Sequence, residues 1–305
     1  MTCTETGATP RFDRQRLEGA SLPARLADLP EPPDQLFLYG NLPSAPCIGV
    51  VGTRDPSPEA LTFASSLSNA LAAQGIAVIS GGAKGIDGAA HRGALAASGH
   101  TLVVAGSSLD CPFPAAHRGL FAEIIARGGG YLSRFEAGVQ PRAHQFLDRN
   151  GILVALCDAL VVVEAPRKSG ARNAAAWARQ LERPCFVVPS APWNERGRGC
   201  IRELQLGALP LGDVGDILDW LAQRQSFDAP TPTAPRAARG AAVGTGEDAL
   251  KAAVLQAVAG GARYADDVAG ELGLDLPGVQ HALLLLVLSG DVQQGPGGVL
   301  TTAPR

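Results

Sequence analysis

The chain has 305 residues, of which 46% are hydrophobic and 18% are charged, and its net charge is -3 at pH 7. This length suggests about two domains, and the composition is ample for a packed core, which excludes a disordered chain. The weak net charge gives no general sign of a nucleic-acid binder, so any anion site must arise from local charge.

The six cysteines form no C-x-x-C pair. This excludes a disulfide scaffold and most zinc sites, and it suits a reducing compartment. No apolar run reaches the ~18 residues of a membrane-spanning helix, and the N-terminus, with its acids and prolines, does not read as a secretory signal. We therefore expect a cytoplasmic protein with no metal, no cofactor and no membrane partner.

Residues 1–31 read as a loose N-terminal segment with a short helix near residues 14–27. Residues 228–246 are rich in Pro, Ala, Gly and Thr and contain almost no large apolar side chain. Such a stretch cannot bury enough surface to order itself, so it reads as a linker. The sequence thus predicts a large domain over residues 32–227 and a small one over residues 247–305.

The large domain alternates short apolar runs with longer Ala- and Leu-rich stretches. Strands are predicted over residues 48–52, 77–80, 101–105, 159–163 and 185–188. Helices are predicted over residues 58–73, 86–97, 116–127 and 173–181. Strands without polar alternation are buried on both faces, and their alternation with helices predicts an α/β fold with a doubly wound parallel sheet. In that fold the ligand binds at the carboxyl edge of the strands.

The strongest local signal is a glycine-rich turn between strand 77–80 and the next helix. It reads Ser80-Gly81-Gly82-Ala83-Lys84-Gly85. Glycines let backbone N–H groups approach a phosphate, the helix dipole adds partial positive charge, and Lys84 adds a full charge. The run matches neither G-x-G-x-x-G nor a Walker loop, so a tight turn without a ligand remains the alternative.

A second turn follows strand 48–52 and is equivalent in topology. Gly52 permits close approach, Thr53 can donate a hydrogen bond, and Arg54 can hold a phosphate with two donors. The polar residues after Arg54 could instead cap the next helix. Two such turns on one sheet edge indicate an anion site more strongly than either turn alone.

Two further clusters carry cations. The first consists of Phe146, Arg149 and Asn150. The second consists of Arg167, Lys168, Ser169, Gly170 and Arg172, with three cations. Phe146 is either a core aromatic or a platform for stacked bases. The second cluster follows strand 159–163 and either places small donors and cations at a helix start or forms a solvated basic loop.

Asp87 and His91 lie four residues apart on one predicted helix and therefore share a face. Such a pair suggests a catalytic or metal site, but no nucleophile elbow and no further ligand of suitable spacing accompanies it. We expect Asp87 to orient the glycine turn and His91 to be structural.

Residues 247–305 show a different pattern. Helices are predicted over residues 248–258, 265–272 and 279–288, followed by a hairpin over residues 291–302, and this order is typical of a winged helix. The module carries 3 basic and 7 acidic side chains, and its third helix contains no Lys or Arg. A helix that reads DNA normally carries cations, so we expect this module not to read duplex DNA.

In this order, the segments resemble the DNA-processing protein A family, also called DprA or Smf. The resemblance covers residues 32–212 and is most specific in the run 78–91, supported by residues 50–54 and 146–150. It implies a Rossmann-like domain that binds single-stranded DNA without catalysis. It also implies a homodimer that loads a RecA-type recombinase onto incoming DNA in natural transformation.

The resemblance also implies which residues face the DNA strand. By position these are Arg54, Gly81, Lys84, Arg149, Asn150 and Ser169. The sequence departs from the family at Gly151, where a second basic residue is common, and Arg172 would compensate for that missing charge.

Two other functions are alternatives to binding of single-stranded DNA. The first is a nucleotide-cleaving enzyme resembling the LOG family, whose Pro-Gly-Gly-x-Gly-Thr-x-x-Glu run this chain lacks. The second is a sensor that binds a small nucleotide and signals through the winged helix. Micromolar affinity for mononucleotides without strand binding would favour either rival.

Overall fold

The computed structural model describes residues 12–139, 142, 144–228, 247–262, 264–274, 276–289, 291–294 and 300–302. The chain divides into two compact units, Met1–Pro230 and Thr231–Arg305. The linker predicted over residues 228–246 lies outside the described residues, except for Asp228, which ends a helix.

The first unit is built on a nine-stranded sheet in its described residues. In chain order the strands are β1 (Arg14–Glu18), β2 (Gln35–Gly40), β3 (Cys47–Val51), β4 (Ala77–Ser80), β5 (Thr101–Ala105), β6 (Gly130–Ser133), β7 (Ala159–Val162), β8 (Cys185–Val187) and β9 (Leu209–Pro210). Across the sheet the order is β1-β2-β6-β5-β4-β3-β7-β8-β9. The seven strands β6, β5, β4, β3, β7, β8 and β9 run parallel to one another. At the other end of the sheet, β2 is antiparallel to both β1 and β6.

Helices cover both faces of this sheet. They are α1 (Pro58–Ala73), α2 (Ile86–Ala96), α3 (Arg118–Ala126), α4 (Gln145–Ala155), α5 (Gly170–Gln180), α6 (Arg198–Gln205) and α7 (Val214–Asp228). Every residue of β3, β4, β5 and β7 is buried. Successive strand residues belong to separate cores on the two faces of the sheet. Val50 packs in the core formed with α1, α2 and α7, and Val51 packs in the core formed with α4 and α5. The predicted Rossmann-like doubly wound fold is therefore confirmed.

The helix predicted near residues 14–27 is wrong. Residues Arg14–Glu18 form edge strand β1, which pairs antiparallel with β2, and Leu17 alone of the five is buried. Two short 3₁₀ turns follow, Gly19–Ser21 and Ala24–Asp28, and the main core includes Leu26 from the second turn and Leu29 just after it. Leu17 is the one apolar residue of β1, so its sequence lacks the period-two alternation that would indicate a strand. The described part of the segment 1–31 is therefore not loose.

The second unit is a winged helix, as predicted. Helices α8 (Glu247–Ala259), α9 (Ala265–Leu272) and α10 (Leu276–Ser289) precede the antiparallel pair β10 (Val292–Gln294) and β11 (Leu300–Thr302). Its own core includes Val254 from α8, Val268 from α9, Val279 from α10 and Leu300 from β11.

The described ranges show neither a membrane-spanning helix nor a cluster of metal ligands. None of the helices found there is both long and apolar enough to span a bilayer. Nor does any group of three or more His, Cys, Asp or Glu side chains in those ranges converge to hold a metal ion.

Candidate functional site

A groove of about 440 Å³ opens at the carboxyl edge of the sheet, beside β3 and β7. These neighbouring strands form the point where the order reverses, because the chain passes from β3 to β4 on one side and from β7 to β8 on the other. Ligands of doubly wound sheets bind at such points. Most of the predicted site residues line this groove, namely Gly52, Thr53, Arg54, Gly81, Phe146, Arg149, Asn150, Lys168, Ser169 and Gly170.

The turn after β3 is held rigidly at the groove wall. The Thr53 N–H donates to the Glu164 carbonyl at 2.7 Å, and the Thr53 carbonyl accepts from the Ile86 N–H at 3.3 Å. Residues with a Cβ are excluded at Gly52, because that atom would lie 2.5 Å from the Ile86 side chain. The adjoining Arg54 is exposed, so a fixed backbone presents an exposed cation to the groove.

Arg149 forms the charged floor of the groove. It is only 5% exposed, its guanidinium donates to the Val104 carbonyl, and its Nε has no hydrogen-bond partner among the described residues. A Cβ on Gly81 would overlap this guanidinium, so glycine is required for the close approach. Burial lowers the pKa of Arg149, while the carboxylate of Asp87 opposes that shift. A buried cation with an unused donor is a strong attractor for an anion.

Asp87 orients the glycine turn, as expected. Its carboxylate accepts from the Ala83 N–H at 3.3 Å. Burial raises the pKa of Asp87, and the nearby Arg149 charge works against that rise. The acid therefore holds the turn in place, and it also lines the groove together with Arg149.

His91 has an internal role on the next turn of α2. Its Nδ1 lies 2.8 Å from Thr101 Oγ1, and burial lowers its pKa to about 3. The ring is neutral at physiological pH and does not line the groove.

Phe146 lies at the groove wall and not in the core. Its ring is half-buried and lies 5.1 Å from that of Phe113, whose exposure is 44%. The Arg54 guanidinium lies 5.9 Å from the centre of the Phe146 ring. Leu147 beside it is 46% exposed, so these side chains form an apolar ledge under a cation.

The opposite wall comes from the loop after β7 and the start of α5. Asn150 is buried, and its amide donates to the Gly170 carbonyl at 3.2 Å and to Asn173 Oδ1 at 2.9 Å. Ser169 caps α5 by accepting from the Ala171 N–H at 3.1 Å. Lys168 is exposed at the rim. Asn150 and Ser169 therefore shape this wall, and Lys168 supplies its charge.

Four predicted residues of the glycine turn lie outside the groove lining. Ser80 is fully buried, and its hydroxyl donates to the Val50 carbonyl at 2.6 Å. Gly82 and Gly85 adopt φ values of +73° and +81°, which favour glycine over other residues. Lys84 is exposed in the same turn. Ser80, Gly82 and Gly85 therefore build the turn that positions Gly81.

Arg172 lies elsewhere than expected. Its Nε donates to Glu203 Oε1 at 2.6 Å, and a second nitrogen donates to the Arg167 carbonyl at 2.8 Å. Arg179 also pairs with the fully buried Glu203 carboxylate. Arg172 thus joins α5 to α6 and does not replace a charge in the groove. No local pattern in the sequence indicates this pairing, because Glu203 is 31 positions away.

Several lining residues carry no chemical signal in the sequence. They are Ala83, Leu147, Leu153, Pro166, Ala171 and Ala174. These residues are small or apolar, so their place in the groove lining becomes known only from the folded positions of α4 and α5. Glu164, the acid nearest to this edge in sequence, accepts from the Ser57 N–H at 2.8 Å and holds the start of α1. It is outside the lining and is not placed as a catalytic acid.

Comparison with known families gives two matches. Residues 16–222 match the model for DNA recombination-mediator protein A, and residues 228–298 match the model for the DprA winged helix domain. Both units of the chain are therefore recognised in the order found here.

Among curated relatives, the putative DNA processing protein DprA of Mycobacterium tuberculosis is 38% identical over 244 residues. That match covers 79% of this chain and 60% of the relative, so the chain spans less than two thirds of the mycobacterial protein. Protein Smf of Synechocystis is 33% identical over 90% of this chain and 76% of its own length.

Two solved structures are similar at the level of fold. DNA processing protein A from Helicobacter pylori, whose structural description concerns its single-stranded DNA binding mode, aligns with a TM-score of 0.64 and 28% identity. The alignment covers 73% of this chain and 99% of that one. DprA from Streptococcus pneumoniae aligns with a TM-score of 0.63 and 30% identity, over 69% of this chain and 75% of that one.

Proposed function

The chain belongs to the DNA recombination-mediator protein A family, and on that basis we propose that it binds single-stranded DNA in the groove between β3 and β7. The strongest support for this proposal comes from Arg149. Arg149 is a charged side chain that is almost completely buried and lines the groove. The structural description of the Helicobacter pylori relative, which names single-stranded DNA binding, supports the same ligand.

Phosphates are held mainly by side chains in this proposal. The N–H groups of Thr53 and Ala171 already have partners inside the protein, so they are not free to bind a phosphate. The cations Arg54, Arg149 and Lys168 therefore supply most of the attraction. A local excess of charge is sufficient in a weakly acidic protein, because charges are screened beyond about 8 Å at physiological salt.

Bases contact the ledge of Phe113 and Phe146. Stacking on an aromatic ring does not distinguish one base from another, since every base has a π-face. The ledge lies on the same groove wall as Arg54, so one nucleotide can place its phosphate and its base on neighbouring side chains. Binding is therefore expected to be insensitive to sequence.

We further propose that the protein acts as a homodimer in the cytoplasm. There it loads a RecA-type recombinase onto DNA taken up in natural transformation, without catalysing a reaction. The family's description as a recombination mediator supports this role. A dimer would hold a long strand at two grooves, which raises avidity without new contacts.

Calorimetric titration with oligo-dT and with mononucleotides tests the proposed ligand. We expect oligo-dT to bind, and we expect Arg54→Ala to weaken binding and reduce its dependence on salt by roughly one phosphate contact. Arg16→Ala is the matched control, because Arg16 is an exposed arginine on the far edge strand β1. Micromolar binding of mononucleotides without binding of oligo-dT would favour a nucleotide enzyme or sensor instead.

A further inference from the structure

A second groove, of about 520 Å³, lies beside the first at the same edge of the sheet. It is lined by Arg167, Pro192, Arg198, Ile201, Arg202 and Gln205. The loop after β7 separates the two, because Pro166 and Lys168 line the first groove and Arg167 lines the second. A strand that leaves the first groove over this loop therefore enters the second.

Trp193 stands next to Pro192 in the loop after β8, and it is 83% exposed. Tryptophan is highly buried on average, so an indole left in water requires a reason. The loop around it is held by a turn in which the Asn194 N–H donates to the Ala191 carbonyl at 2.9 Å. Arg196 also ties this loop to Asp55 at 3.1 Å. The indole is therefore presented to solvent by a fixed backbone.

The second groove is positively charged. Arg198 pairs with Glu195 at 2.9 Å, but Arg167 and Arg202 have no carboxylate within ion-pair distance among the described residues. Arg202 is held by Gln205 at 3.3 Å. The acid nearest in sequence, Glu203, is fully buried and already engaged by two other arginines. Two unneutralised guanidinium groups thus line the groove, whose lining also includes Pro192, the residue before Trp193.

We propose that this second groove is an extension of the DNA track, in which a base stacks on Trp193 and Arg167 and Arg202 neutralise the adjoining phosphates. The inference rests on the proposed function of the first groove. Alternating cations and an aromatic platform are what an unpaired polynucleotide requires. A protein partner would instead be expected to cover a contiguous apolar patch, and the lining offers Pro192 and Ile201 alone as apolar residues.

Intrinsic fluorescence of the full chain tests the position of the base. Stacking on an exposed indole quenches its emission, whereas Trp177 and Trp220 are half-buried and pack against the cores. We expect oligo-dT to quench the wild-type signal and Trp193→Phe to remove most of that quenching. Quenching that persists unchanged in Trp193→Phe would overturn the proposal.

Affinity measured against an oligo-dT length series tests the track itself. We expect Trp193→Ala to weaken binding of long oligonucleotides by about five- to a hundred-fold, as loss of one stacked base does. Oligonucleotides too short to leave the first groove should bind the variant as they bind the wild type. Arg167→Ala should show the same dependence on length, whereas the control Arg16→Ala should show none.

Three other outcomes have distinct meanings. Equal affinities of Trp193→Ala and wild type at every length would overturn the extended track while leaving the first groove in place. A shift of Trp193→Ala towards monomer in sedimentation, with DNA affinity unchanged, would assign the surface to a protein interface and also overturn it. Failure of the wild type to bind any oligonucleotide would remove the proposed function, and the track with it.

Discussion

Among single residues, Arg149 combines two properties that rarely serve stability together. It is charged and almost completely buried, and burial lowers its pKa. The buried carboxylate of Asp87 interacts with this charge, and removing one member of a buried charge pair leaves the other uncompensated, which costs stability. Arg149 therefore supports the fold through Asp87 and, in the proposed site, attracts the ligand through its guanidinium.

Arg149→Met should lower both the affinity for DNA and the stability of the fold. The variant loses a charged donor at the groove floor, so we expect single-stranded DNA affinity to fall by about 2 kcal/mol, roughly thirty-fold. The thermal unfolding midpoint should fall as well, because the buried carboxylate of Asp87 loses the compensating charge of Arg149. Fluorescence anisotropy and calorimetry measure the two quantities. A variant that binds as tightly as wild type would remove Arg149 from the site.

His91 should make the fold sensitive to acid. Its pKa is lowered from 6.5 to about 3 in the folded protein, so the unfolded state binds the proton more readily in that window. The stability that neutral His91 contributes is fully present above pH 6.5 and is lost as the pH falls towards about 3. We expect His91→Gln to reduce this loss in thermal unfolding, and the exposed His144→Gln to leave it unchanged. An identical acid profile for His91→Gln would contradict the assignment.

The sequence is informative where glycine and charge coincide. The turns at Gly52 and Gly81 can be predicted because glycine between a strand and a helix marks a close backbone approach that a larger residue would block. The role of Arg172 cannot be predicted, because its partner, Glu203, is distant in sequence. Pairing between side chains far apart along the chain leaves no local pattern, so residue roles of that kind require the fold.

Among the elements, α5 and α6 form the support of one groove wall. The Glu203 carboxylate on α6 is fully buried between Arg172 and Arg179 of α5. This network fixes the angle at which α5 leaves Ser169, and thus the position of the loop that carries Lys168. Support and binding are therefore carried by different side chains of one segment.

Arg172→Ala and Lys168→Ala should have opposite effects. Arg172→Ala leaves Glu203 with one partner, and since the Arg172 side chain is 26% exposed we expect a loss of about 1–2 kcal/mol in unfolding free energy. Short oligonucleotides should bind it normally, because Arg179 still joins α5 to Glu203 and keeps the loop of Lys168 in place. Lys168→Ala should weaken binding several-fold and leave stability within about 0.5 kcal/mol. The reverse pattern in denaturation and anisotropy would contradict this division.

The elements of the central sheet can be predicted, and those at its margins cannot. Strands β4 and β5 agree with the predicted bounds because their apolar runs are framed by glycine or polar residues. Helix α4 escapes prediction because its apolar second half continues into β7 with only Leu156, Cys157 and Asp158 between them. Strand β1 escapes it because it is a short edge strand with a single apolar residue. Strand β2 escapes it because its antiparallel pairing with β1 and β6 is a tertiary feature.

In the whole molecule, charge separates the two units. Residues 47–212 carry 16 basic and 12 acidic side chains, whereas residues 247–305 carry 3 basic and 7 acidic ones. Helix α10 occupies the position of a recognition helix, and it contains Gln280 and His281 but no cation. An acidic surface repels phosphate, so we propose that the winged helix contacts a protein and does not read duplex DNA.

Cutting the chain after Pro230 should therefore preserve binding. The first unit has its own sheet and cores, so we expect the fragment 1–230 to fold and to bind oligo-dT within about threefold of the full chain. The fragment 231–305 should not shift duplex DNA in a gel. Loss of strand binding by a folded first fragment would show that the second unit contributes to the site.

A crystal structure of the full chain with oligo-dT would show whether the strand lies in the groove between β3 and β7. We expect a phosphate within hydrogen-bond distance of the Arg149 guanidinium and a base against Phe146, with the strand crossing the carboxyl edge of the sheet. A strand bound elsewhere, with this groove empty or closed by the protein's own side chains, would contradict the proposed site.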